Sequence, residues 1–145
     1  MITPLPKPQK PAKATKKPLK RTKLRKTSAR PLSKLKREAW RVFSLWIRER
    51  DKYVCVTCGK SGKGSFMHAG HFISRKHNAT MFDERNVSAQ CMNCNLWGYG
   101  NMGVYALKIQ EKYGAEIIKE LTEKSQTIHK FTERELEDII KKYTL

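Results

Sequence analysis

The sequence is short of apolar runs, acidic residues and cysteines. No apolar stretch approaches the roughly 18 residues that a membrane helix needs, and no apolar segment follows the first charges as in a secretory signal. The chain has only 13 acidic residues, none before Glu38, and only four cysteines. We therefore expect a cytoplasmic protein without a membrane partner, in which paired cysteines hold a metal rather than form disulfides.

Positive charge is concentrated at the start of the chain. The sequence has 31 Lys and Arg residues, a net charge of +18 and a pI near 10.0. Residues 1–37 carry 14 basic residues and no acidic one, and residues 1–32 contain all six prolines. Such a segment buries too little apolar surface to fold alone, so we predict a disordered basic arm over 1–32. This charge distribution favours nucleic acid as a partner.

The rest of the chain predicts an α+β fold. Apolar residues at steps of three and four predict a helix over about 34–50, with Ser33 as its N-cap. Further helices are predicted over about 104–113, 115–124 and 133–143, the last beginning at a capping box of Thr132 and Glu135. Strands are predicted over 53–58 and within 65–73, the second ending at His71, with a loop over 74–85. Residues 87–90 lead into the second cysteine pair, and a helix is predicted to begin near Cys91 or Asn93. We divide the chain into the arm, a zinc-containing domain with an N-terminal helix at 33–125, and a C-terminal helix at 126–145.

All four cysteines lie in two CxxC pairs, Cys55 with Cys58 and Cys91 with Cys94. Two such pairs are the usual way in which four thiolates reach one tetrahedral Zn²⁺, at about 2.3 Å. Structural zinc supplies folding free energy directly, so we expect the centre of the domain to depend on it.

Three polar residues between and after these pairs point to phosphodiester hydrolysis. They are His71, which follows Gly70, then Asn86, and Asn95 directly after Cys94. Hydrolysis needs a base for the attacking water and a cation for the phosphate and the leaving oxygen. A neutral histidine held in one tautomer by a neighbouring oxygen can be that base.

With these motifs in this order, residues 34–122 resemble the HNH (ββα-metal) endonucleases in their four-cysteine zinc form. His68-Ala-Gly-His71-Phe, Arg85-Asn86-Val, Gln90-Cys91-x-x-Cys94-Asn95 and Gly100-Asn101-x-x-x-Tyr105 resemble more closely the phage NinG/Rap recombination nucleases. The resemblance implies a zinc-stapled ββα-metal core and a DNA endonuclease in the host cytoplasm that uses Mg²⁺ or Mn²⁺. Its implied substrates are branched recombination intermediates such as Holliday junctions. It also implies that His71 is the general base, that Asn86 orients it, and that Asn95 helps to hold the cation.

The chain departs from the HNH pattern at one position. Many HNH enzymes have an acidic cation ligand directly before the base, whereas this chain has Gly70. His68 is the available substitute. Side chains alternate along a strand, so His68 and His71 would lie on opposite faces unless a bulge at Ala69 and Gly70 brought them together.

Two other functions remain open from the residues alone. The chain can be a non-catalytic zinc ribbon that binds DNA or RNA, since binding needs the same charge. It can also be a structural ribonucleoprotein component, as the Lys/Pro-rich arm suggests. Symmetric cleavage of a four-way junction calls for a homodimer, although the sequence has no coiled-coil heptads.

Overall fold

The computed structural model describes residues 31–145, which form five helices and a two-stranded sheet. In chain order these are α1 (Leu32–Arg50), β1 (Met67–His71), α2 (Asn78–Met81), β2 (Val87–Cys91), α3 (Met102–Tyr113), α4 (Ile117–Ser125) and α5 (Glu133–Tyr143). The predicted α+β class is confirmed for this part of the chain. The predicted arm lies outside the described residues except for its last two, Pro31 and Leu32.

Helix α1 packs against the C-terminal helix α5 and against both strands. Leu35, Ala39, Phe43 and Ile47 recur at every fourth residue and are fully buried, which gives the helix one apolar face. The C-terminal segment, predicted at 126–145, contributes α5 to the same core: Leu136 packs with Leu35 and Ala39. The capping box of α5 is confirmed, because the Thr132 hydroxyl accepts from the backbone N–H of Glu135 and the Glu135 carboxylate accepts from that of Thr132.

The predicted N-cap of α1 is wrong. The helix begins at Leu32, so Ser33 lies within its first turn, and the residue before the helix is Pro31. The Pro31 carbonyl accepts the backbone N–H groups of Lys34 and Leu35, at 2.8 and 3.3 Å. Proline suits this position because its φ is already fixed near the helical value.

Strands β1 and β2 form an antiparallel hairpin whose residues pair one to one from Met67 with Cys91 to His71 with Val87. An isolated hairpin is marginally stable in water, so its edges need other support. On the outer edge of β2 the Asp51 carboxylate accepts the N–H of Ala89 at 2.8 Å, and the N–H of Val56 donates to the Ala89 carbonyl at 2.9 Å. The hairpin is thereby tied to the end of α1 and to the first cysteine pair.

The predicted strand over 53–58 is wrong: Val54 makes a single bridge with Ser61 and no ladder forms. Lys52 and Tyr53 have φ values of 52° and 55°, which turn the chain sharply after α1. That turn carries the first cysteine pair directly to the hairpin and leaves no length for a strand.

Two other expectations are corrected between His71 and α3. The segment predicted as a loop over 74–85 contains the short helix α2. The helix expected from Cys91 or Asn93 is a single π-helical turn, Asn93–Trp97. The regular helix α3 begins only at Met102, because Gly100, with a φ of 80°, changes the direction of the backbone just before it.

Helices α3 and α4 pack together on the side of the hairpin away from α1. Tyr105 and Ile109 of α3 pack with Ile117 and Leu121 of α4, and all four are buried. The Tyr105 hydroxyl donates to the carbonyl of Gly70 in β1 at 2.9 Å, which fixes α3 against the hairpin. None of the helices in residues 31–145 has the length and apolar character needed to cross a bilayer.

Candidate active site

The four cysteine thiols meet at one end of the hairpin. Cys91 is the last residue of β2, and the Sγ atoms of all four cysteines lie within 4.8 Å of one another. The Sγ atoms of Cys58 and Cys91 are 3.7 Å apart. Four sulfurs around one Zn²⁺ with bonds of about 2.3 Å would be about 3.8 Å apart. The cluster therefore fits one metal ion such as zinc.

The thiols differ in their readiness to ionise. Burial opposes ionisation of Cys55, but hydrogen bonds from the Thr57 hydroxyl and from nearby backbone N–H groups outweigh it and lower the pKa of Cys55 to about 6. The backbone N–H of Lys60 favours the thiolate of the exposed Cys58, but slight desolvation and the neighbouring thiols raise the pKa of Cys58 to about 12. Because a metal binds thiolates, its entry must displace protons from this cluster at neutral pH.

The second cysteine pair places Asn95 beside His68. Asn95 follows Cys94 in the π-helical turn, and its carboxamide Nδ2 lies 3.1 Å from Nδ1 of His68 in β1. The structure thus brings together two of the predicted site residues. The pair offers an imidazole nitrogen and a carboxamide oxygen, both of which can hold a divalent cation.

Gly70 makes room for a residue that sequence reasoning missed, Gln90. A Cβ atom at position 70 would clash with Oε1 of Gln90 and would lie 3.1 Å from Oδ1 of Asn95. Gln90 is fully buried, and its Nε2 donates to the carbonyl of Gly100. Its Oε1 has no hydrogen-bond partner within residues 31–145. The space that an acidic side chain at position 70 would need is therefore taken by a carboxamide oxygen.

His71 is held in one orientation at the end of β1. Its ring stacks on the indole of Trp40, with ring centroids 4.9 Å apart, and its Nε2 lies 3.1 Å from the carbonyl oxygen of Met81. Burial lowers the pKa of His71 to about 4; the Met81 carbonyl opposes this shift and the charge of Arg75 adds to it. His71 is therefore neutral at pH 7. With its proton on Nε2, where the carbonyl accepts it, Nδ1 is left as a proton acceptor.

Asn86 closes the loop that contains this carbonyl. Its fully buried carboxamide accepts the N–H of Ile73 at 2.7 Å and donates to the carbonyls of Ile73 and Thr80 at 3.0 and 2.9 Å. These contacts all reach the backbone, and none reaches the His71 ring. Because Thr80 precedes Met81, Asn86 fixes the peptide segment whose carbonyl orients His71.

The two histidines lie on opposite faces of β1, as the alternation of side chains predicts, because the pairing has no bulge. His71 faces α1, whereas His68 faces Asn95. Trp40 links the two faces: it stacks on His71 and also lines an open depression with His68 and Asn95. The depression has a volume of about 300 Å³ and is lined by Trp40, Ser44, Arg48, Met67, His68, Ala69, Arg75 and Asn95.

The surface around the depression is strongly basic. No acidic residue occurs between Asp51 and Asp83 or between Glu84 and Glu111, so neither strand of the hairpin and neither cysteine pair carries a carboxylate. Shallow clefts that share Trp40 are lined by cationic side chains: Lys34, Lys36, Arg37, Arg41, Arg48, Arg75 and Lys76. Glu38 is the one carboxylate among the side chains that line these clefts, and seven cations outnumber it, so the site attracts anions.

Comparison with known proteins places these features in a family. The family model described as Bacteriophage Lambda NinG protein matches residues 5–145. The chain is 32% identical to the NinG protein of Escherichia phage 933W over 123 residues, which cover 83% of this chain and 60% of the relative. It is 31% identical to that of Salmonella phage P22 and 30% identical to that of Escherichia phage lambda over the same length. The chain thus spans about 60% of the length of these relatives. No solved structure matches it significantly.

The cysteine cluster generates the first prediction. Replacing Cys91 with Ser removes one thiolate from the end of β2, so metal affinity should fall sharply and the hairpin should lose its order. We expect about one bound zinc per parent chain by elemental analysis and a loss of both zinc and near-UV circular dichroism in the variant. Ser61→Ala, near the first cysteine pair, is the control and should keep its zinc. Parent protein that is free of zinc yet gives the same spectrum would contradict the prediction.

The low pKa of His71 generates a prediction about stability. Unfolded histidine titrates near 6.5 and His71 near 4, so the unfolded chain binds more protons between these values. The free energy of unfolding should therefore fall as the pH drops from about 6.5 to about 4, by up to about 3 kcal/mol from this residue. His71→Phe keeps a ring beside Trp40 but cannot titrate, so denaturant unfolding should show a flatter pH dependence. Equal slopes for parent and variant would contradict a buried neutral His71.

Proposed function

The chain belongs to the phage NinG family, and we propose that it is a metal-dependent DNA endonuclease of the HNH type, with its active site along β1. The observation that carries the proposal is the environment of His71. A histidine kept neutral, with one nitrogen fixed on a backbone carbonyl and the other left to accept, is arranged as a general base. A non-catalytic zinc ribbon has no need of such a residue.

The proposed cation site is formed by neutral ligands. His68 and Asn95 would hold a divalent cation in place of the hydrogen bond between them, and Oε1 of Gln90 is directed to the same side of β1 at Gly70. When bound, the cation stabilises charge on the phosphate and on the leaving 3′ oxygen. Mixed nitrogen and oxygen ligands without a carboxylate suit Mn²⁺ better than Mg²⁺, which favours oxygen ligands. The negative charge that such a cation needs would come from the DNA phosphate.

The protein residues would then have separate roles in cleavage. Arg48 and Arg75, which line the depression, would bind phosphates on either side of the cleaved bond. Nδ1 of His71 would take the proton of the attacking water, while Met81 keeps the ring in place through Nε2. A bound phosphate would raise the low pKa of His71 and so make it a stronger proton acceptor at the moment of reaction.

We further propose that the four cysteines bind one structural Zn²⁺ and that the substrates are branched intermediates of phage DNA recombination. The zinc would set the position of Asn95, which directly follows Cys94. The basic segment over 1–32 would add phosphate contacts and a steep dependence on salt. A homodimer would allow two symmetric cuts in a four-way junction.

Substitution of His71 tests the proposal. His71→Ala should lower the cleavage rate of branched DNA by about 10²- to 10⁴-fold, the usual contribution of a general base. DNA binding and zinc content should be unchanged, because other residues supply them. The matched control is His77→Ala, an exposed histidine in the loop after β1 whose Nδ1 lies 3.1 Å from the Ser125 carbonyl. It should cleave like the parent. A His71→Ala protein with full activity would refute the proposed base.

Asn86→Ala is a poor test of catalysis. Asn86 is fully buried and makes three hydrogen bonds, so its loss should unfold the loop as well as reduce activity. His68→Asp is more informative because it restores a carboxylate beside Asn95. This variant should use Mg²⁺ better relative to Mn²⁺ than the parent does. An unchanged ratio of the two rates would show that His68 does not touch the cation.

A further inference from the structure

Directly after Asn95 the chain exposes a group of large apolar side chains. Trp97 is 75% exposed, Tyr99 is 90% exposed and Leu96 is 53% exposed. Neither aromatic ring makes a ring contact or a hydrogen bond with another side chain within the described residues. In contrast, Trp40 and Trp46 both pack against aromatic neighbours. We call residues 96–102 the aromatic turn.

The backbone of the aromatic turn is fixed and strained rather than loose. Tyr99 and Asn101 have φ values of 49° and 46°, in the left-handed region that residues with side chains seldom adopt. Two hydrogen bonds hold the turn. The N–H of Gly98 donates to the Asn93 carbonyl at 2.7 Å, and Nε2 of the buried Gln90 donates to the Gly100 carbonyl. Such strain persists only where surrounding structure imposes it, and it tends to mark functional segments.

The chemistry of the aromatic turn fits nucleobases. Residues 95–107 contain no charged side chain, so the turn presents uncharged aromatic faces, and the cationic depression begins at the adjacent Asn95. Flat aromatic faces beside a phosphate-binding surface are the usual platform for unstacked bases. Intact duplex DNA keeps its bases stacked on one another, whereas a single strand leaves bases free and a branch point exposes the faces of the base pairs that border it.

We propose that Trp97 and Tyr99 stack on nucleobase faces exposed at a branch point or in a single strand of the DNA whose phosphate lies at His68 and Asn95. This inference rests on the proposed function, because it assumes that DNA is bound along β1. The aromatic turn then allows the protein to distinguish DNA with exposed bases from plain duplex DNA. Contacts to the backbone through Arg and Lys cannot make this distinction, since both kinds of DNA present phosphates.

Binding without cleavage tests the inference. In EDTA, Trp97→Ala and Tyr99→Ala should each weaken binding to a four-way junction and to single strands by about 5- to 100-fold, the range for loss of one stacked base. Binding to a duplex of the same sequence should change less than twofold. Leu107→Ala is the matched control, because Leu107 is 66% exposed on α3 outside the turn. It should bind all three DNAs like the parent.

Tryptophan fluorescence gives an independent readout. Stacking on a base should quench the emission of the parent when single strands are added, and Trp97→Phe should lose most of that quenching. Equal junction affinity for Trp97→Ala and the parent would overturn the inference. A change of sedimentation coefficient in Trp97→Ala, with junction affinity intact, would instead assign the turn to contact with a second copy of the chain.

These outcomes are separate from the test of catalysis. Weaker junction binding by Trp97→Ala supports base stacking even if no DNA is ever cleaved. Cleavage that depends on His71, with no effect of Trp97 or Tyr99 on junction affinity, would leave the proposed endonuclease standing and remove the stacking surface.

Discussion

Four cysteine thiols at one end of a two-stranded hairpin determine where the candidate site lies. A hairpin of this size is marginally stable alone, and here both strands end at the thiol cluster: Met67 pairs with Cys91, and Cys55 packs against both. The second cysteine pair also sets the position of Asn95 against His68. In our proposal a metal at the thiols therefore both stabilises the hairpin and aligns the cation site. This double effect explains why so small a sheet can carry a rigid site.

The loop between the strands also determines the orientation of His71. The buried Asn86 side chain makes all its hydrogen bonds with the backbone of Ile73 and Thr80. The carbonyl of the adjacent Met81 then fixes the imidazole of His71. The indole of Trp40 completes the arrangement from α1. A histidine oriented by backbone and by stacking keeps its geometry without a charged partner. Such a partner would raise its pKa before the substrate arrives.

Much of this could be predicted from the sequence where local patterns decide the structure. The spacing of apolar residues in α1, the capping box at Thr132 and the alternation that separates His68 from His71 all depend on near neighbours. The strand expected over 53–58 failed because the first cysteine pair must reach the hairpin, and the chain turns at Lys52 and Tyr53 to do so. The stacking of Trp40 and the role of the Met81 carbonyl depend on tertiary contacts. The spacing of residues along the sequence does not predict such tertiary contacts. Gln90 stands in one of the quoted motifs, but only its buried position against Gly70 and Gly100 in the structure suggests a role for it.

The most direct test of the proposed active site is to locate its two metals in crystals of the protein with branched DNA and Mn²⁺. Anomalous diffraction recorded on either side of the zinc and manganese absorption edges distinguishes the two ions. The account predicts zinc among Cys55, Cys58, Cys91 and Cys94, and manganese between His68, Asn95 and a DNA phosphate, with His71 outside the coordination sphere and facing a water. Manganese bound by His71, or bound DNA with no manganese at His68 and Asn95, would contradict it.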